Sequence, residues 1–175
     1  MLARVALVAV LALAGTACST TADTVPQLGD LPGGALPAGE PAVDFSVETF
    51  DGTTFTLSNH LADDGRPVFL NLWASWCAPC RAEMPDIDEA ALRNPGVAFI
   101  GVAVKDELSK SRDFAEEIGV AYPLGFDENR EVDEGYAPIG LPATYIISTD
   151  GRIVERIFGP LTGEQIDEKL ADHFG

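Results

Sequence analysis

The chain has 175 residues, 46% of them hydrophobic, which allows one globular domain of ordinary size plus an N-terminal appendage and leaves no room for a second domain. Its 28 acidic residues against 11 basic give a formal charge of -17, so nucleic acid and anionic membrane surfaces are poor electrostatic partners. Solubility alone accounts for such an excess.

Met1 to Ala17 carry one cation, Arg4, then an apolar run from Val5 to Ala14 and the small residues Gly15-Thr16-Ala17. This is the architecture of an export signal, and the run falls far short of the ~20 residues a permanent membrane span needs. Residues 1–17 are therefore expected to be cleaved. Gly15-Thr16-Ala17-Cys18 resembles the motif that precedes the lipid-modified cysteine of bacterial lipoproteins, with Gly15 where Leu, Val or Ile is usual. The alternative is ordinary cleavage near Ala17, leaving a soluble secreted or periplasmic protein with a free Cys18. An unpaired thiol in an oxidising compartment is a liability, which favours lipidation and membrane tethering. Residues 18–41, rich in Thr, Ala, Gly and Pro, read as a flexible tether reaching roughly 25 to 30 Å.

The globular domain is expected over residues 42–175. Phe45, Val47, Phe55 and Leu57 alternate with polar residues around Asp51-Gly52, a hairpin pattern. Val68 to Ala74 is a continuous apolar run, a strand buried on both faces, and it leads into Cys77-Ala78-Pro79-Cys80. A helix follows over Arg81 to Leu92, bent at Pro85. Next come a buried strand at Val97 to Val104, a helix at Ser109 to Ile118, a short segment around Tyr122 to Leu124 and a short helix at Arg130 to Tyr136. A hairpin of Ala143 to Ile147 and Ile153 to Phe158 turns at Thr149-Asp150-Gly151, and Gly163 to Phe174 closes the chain as an amphipathic helix. The order predicts an α/β thioredoxin fold: a central mixed sheet flanked by helices, with an N-terminal β-hairpin extension and a central insertion.

A Cys-x-x-Cys at a strand-to-helix junction sets its first sulfur against the free N–H groups of the helix start, which favours thiolate. Cys77 is thus the expected nucleophile and Cys80, nearly one turn on, the resolving thiol of a redox disulfide. Pro79 suits a first helical turn, where its missing N–H costs little. A zinc site would need two further ligands, and His60 and His173 show no partner spacing. A static disulfide closing so small a ring removes little chain entropy. No metal or organic cofactor is expected.

The run from Asn71 through Trp73, Trp76, Cys77, Ala78, Pro79, Cys80 and Glu83 to Pro85 resembles the TlpA/ResA family of extracytoplasmic thioredoxins. Pro41 to Phe45, Asp51-Gly52 and Gly140 to Thr144 fall in the same order. The resemblance implies an extracytoplasmic thiol-disulfide oxidoreductase that reduces protein disulfides, among them those of apocytochrome c, with electrons from a CcdA-type membrane donor. It also implies that Glu83 is a buried acid-base group, that Asn71 stands where ordinary thioredoxins bury an aspartate, and that Pro142 is a cis proline facing the dithiol. Trp76, Ala78, Pro79, Leu141 and Thr144 would shape the substrate groove, with Trp73 in the core.

Other readings of the same motif are an exported thiol oxidase, a peroxiredoxin-like peroxidase and a copper-binding assembly protein. Ala78-Pro79 resembles the reducing members and lacks the histidine common in strong oxidants. In peroxiredoxins the peroxidatic cysteine corresponds to Cys80 and a threonine replaces Cys77. The copper proteins of this fold add a distal histidine, and no histidine lies between His60 and His173.

Overall fold

The structure, a computed structural model, describes residues 39–175. The expected signal, Cys18 and the tether up to residue 38 lie outside the described residues.

The elements follow in the order β1 (Ser46–Thr49), β2 (Thr54–Thr56), α1 (Leu57–Asp63), β3 (Val68–Trp73), α2 (Ala78–Arg93), β4 (Ala98–Ala103), α3 (Leu108–Ile118), β5 (Leu124–Phe126), α4 (Glu131–Tyr136), β6 (Ala143–Ile147), β7 (Ile153–Phe158) and α5 (Gly163–Phe174). The strands form one sheet in the order β2-β1-β5-β4-β3-β6-β7. β3, β4 and β5 run parallel, while β6 and β7 return antiparallel on one side and β1 and β2 on the other. β5 pairs with β1, so the N-terminal hairpin docks on the segment between α3 and α4.

Three boundaries differ from the sequence reading. Leu57 opens a helix instead of ending the hairpin strand: its side chain is buried, and the following Ser-Asn-His-Leu turns away from the sheet. The short strand after α3 starts at Leu124, two residues later than expected, with Tyr122 leading into it. α2 begins at Ala78, so both middle residues of the motif are helical, and it runs through Pro85.

Strand alternation sorts the core into two layers. Val68, Leu70 and Leu72, with Ile100, Val102, Tyr145 and Ile147, pack beneath α1 and α4. Phe69 and Trp73, with Phe99, Ala103 and Ile146, pack beneath α2, α3 and α5. Gly101 lies in this second layer because a Cβ there would come 2.6 Å from Leu124 Cδ2 and 3.1 Å from the Tyr122 ring. β3 carries the chain from one pole of the sheet, at Val68, to the other, where Cys77 follows. Gly39 to Ala42 join the opposite pole: Gly39 N–H donates to the Ile153 carbonyl, Ala42 N–H to Gly151, and Pro41 bridges Arg152.

Candidate active site

β3 ends at Trp73, and a turn closed by Cys77 N–H donating to the Ala74 carbonyl at 3.0 Å delivers Cys77 to the N-cap of α2. The backbone N–H of Cys80 donates to Cys77 Sγ at 3.2 Å. Sixteen aligned residues place the positive end of the α2 dipole at the same sulfur, so charge developing there is stabilised. Cys77 and Cys80 form a disulfide with a Cα–Cα distance of 5.3 Å. Cys77 retains 4% exposure and Cys80 none, so an incoming molecule meets Cys77 first.

One turn beyond Cys80, Glu83 is buried under α2. Its Oε1 accepts from Asn71 Nδ2 at 2.8 Å and its Oε2 from the Leu161 N–H at 3.0 Å. Burial raises its pKa from an ordinary 4.5 to about 7; the Leu161 and Asn71 donors oppose that rise, and the negative charge of Asp86 adds to it. A carboxyl balanced near neutrality can both accept and return a proton. Asn71 faces Gly101 on one side and Thr144 on the other. Around this row Asn71 Oδ1, Thr144 Oγ1, Trp73 Nε1 and Tyr122 OH are buried with no hydrogen-bond partner among the described residues.

Exposed apolar side chains flank the dithiol at this pole. Trp76 is 63% exposed and its indole N–H donates to the Lys105 carbonyl at 3.2 Å. Ala78 and Pro79 are exposed beside it. The Leu141–Pro142 peptide bond is cis, and the β3/β6 register puts Pro142 at the end of the sheet where Trp73 leads toward the dithiol. Leu141 is half-buried between the two core layers, and Ile139, in the same loop, is 74% exposed. Thr144, expected at the groove, is 1% exposed and faces Asn71 inside the sheet, because it sits one register step deeper than the loop. It does not line the surface.

Several neighbours of the site escaped the sequence reading. Asp106 accepts from Ser75 N–H at 2.5 Å and from Ser75 Oγ at 2.9 Å, tying the active-site loop to the turn after β4. The available hint was position alone, since polar residues just past the C-terminal ends of parallel strands are the usual site-builders of open α/β sheets. Leu161 serves through its backbone, and Ile139 through exposure, and neither property is encoded in residue type. Both histidines are engaged elsewhere: His60 Nε2 lies 3.0 Å from the Arg66 carbonyl and His173 Nε2 2.9 Å from Glu155 Oε2. Among the described residues no three His, Cys, Asp or Glu side chains converge as a metal site.

A mixed sheet with a dithiol at the start of its second helix defines a thioredoxin-fold protein. Residues 38–156 match the AhpC/TSA family, and the chain belongs to it. It is 38% identical over 108 residues to the thiol:disulfide interchange protein HelX of Rhodobacter capsulatus, spanning 61% of this chain and 60% of that one. To the thiol-disulfide oxidoreductase ResA of Geobacillus kaustophilus it is 33% identical over 138 residues, 78% of each. A crystal structure of a thiol:disulfide interchange protein of the thioredoxin family from Chlorobium tepidum superposes with a TM-score of 0.69 at 28% identity, covering 81% of this chain and all of that one.

Proposed function

We propose that this protein is an extracytoplasmic disulfide reductase in which Cys77 attacks a client disulfide and Cys80 resolves the product. The observation that carries the reading is the grouping along α2 of a nearly buried Cys77 at the helix start, a fully buried Cys80 and a Glu83 carboxyl with a pKa of about 7. In the reduced protein the Cys77 thiolate opens the client disulfide, forming a mixed disulfide and expelling one client thiolate. Cys80 then gives its proton to Glu83 and attacks Cys77 Sγ, expelling the second client thiolate. Two electrons pass to the client, two protons follow, and the Cys77–Cys80 disulfide remains. Trp76, Ala78, Pro79 and Leu141 form the face that meets the client, with the buried cis Pro142 beneath it.

The relatives' names, thiol:disulfide interchange protein and thiol-disulfide oxidoreductase, support this chemistry. Apocytochrome c is the proposed client and a CcdA-type membrane protein the proposed electron donor, both carried over from the TlpA/ResA resemblance. Residues 1–17 act as the export signal, Cys18 as the lipid anchor at the cell membrane, 18–41 as the tether and 42–175 as the working domain. No described helix is long and apolar enough to cross a membrane. A peroxidase reading would require peroxide to reach Cys80, which is fully buried.

The test is the redox potential of the Cys77/Cys80 pair, read by alkylation trapping in glutathione or dithiothreitol buffers. A value of roughly -270 mV or below is expected of a reductase, and one near ~-120 mV would overturn the direction and assign disulfide formation instead.

A further inference from the structure

Lys105 and Asp106, just after β4, stand outside the mechanism above and yet touch both residues that precede Cys77. Asp106 gathers four donors: Ser75 N–H and Glu107 N–H from the backbone, and the hydroxyls of Ser75 and Ser111. Ser111 belongs to α3, so a single carboxylate joins the active-site loop to that helix. Lys105 adopts a left-handed backbone with φ 53°, a conformation that costs a non-glycine residue energy and persists only when its surroundings demand it. That conformation leaves its carbonyl bonded to the Trp76 indole, while its ammonium lies 3.0 Å from Asp133 on α4.

We propose that Asp106 is a positioning residue for the dithiol, one that fixes the Ser75–Trp76 step and maintains a negative charge close to Cys77, biasing the pair toward its disulfide and making the reduced form a stronger reductant. Ser75 precedes Cys77 by two residues, at most ~7 Å of chain between their Cα atoms. Burial favours the protonated acid, but the hydrogen bonds from Ser75, Glu107 and Ser111 outweigh it and hold the Asp106 carboxyl below its ordinary value, so the charge persists at neutral pH. The nearby cations are partly spoken for: Lys105 by Asp133, and Arg81 by Glu117 at 2.9 Å. A thiolate at Cys77 is thus stabilised by the helix start and opposed by Asp106. Reducing the Cys77–Cys80 disulfide to the Cys77 thiolate and the Cys80 thiol takes up two electrons and one proton, so whatever destabilises that thiolate weakens the reduced state.

This inference rests on the dithiol reading of the preceding subsection, and one experiment separates the two. The wild-type domain and Asp106→Asn are equilibrated in glutathione buffers and trapped by alkylation, with the rate of Cys77 alkylation followed across pH. Asn preserves size and one acceptor oxygen but removes the charge. The expected result is a shift of the equilibrium toward reduced protein by about tenfold, equivalent to ~30 mV for two electrons, with faster alkylation of Cys77 at neutral pH. Asp106→Glu, which keeps the charge, is expected to restore the wild-type equilibrium even if its melting temperature is lower. Equal equilibria in wild type and Asp106→Asn would overturn the proposal, whatever the change in stability, and leave Asp106 as a brace for α3. Failure of wild type itself to exchange with glutathione would instead overturn the dithiol reading. If Asp106→Asn does not fold, Ser75→Ala carries the test: it removes one bond of the clamp, and an alkylation rate of Cys77 identical to wild type overturns the positioning role.

Discussion

The two faces of the sheet are built to different rules. Beneath α1 and α4 the layer is apolar and its two buried tyrosines are matched: Tyr136 OH donates to the Val43 carbonyl and Tyr145 OH to the Tyr136 carbonyl, each within 2.9 Å. Beneath α2 the layer buries Asn71, Glu83, Thr144 and Tyr122, four polar side chains around one row, three of them with an unpartnered atom among the described residues. An unmatched buried polar atom costs ~1–3 kcal/mol, so a face assembled for stability alone would not hold several. Both faces carry a large apolar cluster, and the second holds in addition a titratable carboxyl in the interior behind the dithiol.

The largest effect that would break this contrast is on Cys77. Cys77→Ser is expected to abolish disulfide reduction, a loss above ~10³-fold measured by reduction of a model disulfide protein. Cys80→Ser should instead accumulate the mixed disulfide, visible as a covalent adduct on a non-reducing gel. Leu72→Ala, on the apolar face, should lower unfolding stability by about 2–5 kcal/mol in denaturant titration and leave the redox potential at its wild-type value.

Glu83→Gln works the other way. A loss of about 10- to 100-fold in the resolution step at pH 7 is expected, seen by rapid-quench trapping of the mixed disulfide. Stability should respond to pH as well. Because folding raises the pKa of Glu83, the stability this group adds is complete below pH 4.5 and is lost as pH climbs through about 7. Denaturant titrations of the wild type should therefore show stability falling from pH 5 to pH 8 by an amount on the order of 2 kcal/mol that Glu83→Gln abolishes.

Smaller effects sharpen the picture. Asn71→Ala removes a donor that holds the Glu83 pKa down, so the pH–rate profile for resolution should move to higher pH. Trp76→Ala, at an exposed position, should leave the melting temperature unchanged and raise KM for protein disulfides by a few-fold, on the order of ~1 kcal/mol.

What could be read from the sequence was whatever is local. The apolar run of β3, the proline in the first turn of α2 and the two-residue spacing of the cysteines sit within a dozen residues, and together they located the dithiol and its helix. The α1 helix was hidden because it is only seven residues long and Thr56 makes no side-chain cap to announce it. β5 was displaced by two residues because Gly125 interrupts its apolar pattern. At the site, Glu83 was found through family resemblance, since a glutamate three residues past a cysteine is ordinarily a solvated helix residue. The contacts that define its environment, from Asn71 twelve residues away and Leu161 seventy-eight away, depend on the packing of α2 against the sheet and the loop before α5. The Asp106 clamp spans thirty-one residues and is invisible to any periodicity.

The attachment of Gly39 to Ala42 at the pole farthest from Cys77 has a mechanical consequence. The six residues of β3 alone put ~20 Å between that attachment and the dithiol. Were Cys18 held in a membrane as proposed, the chain would enter the domain at the pole opposite the dithiol. A donor in that same membrane would then meet the dithiol only when the domain faces its other pole to the lipid. Under that proposal, client reduction and recharging would occupy opposite orientations of one body.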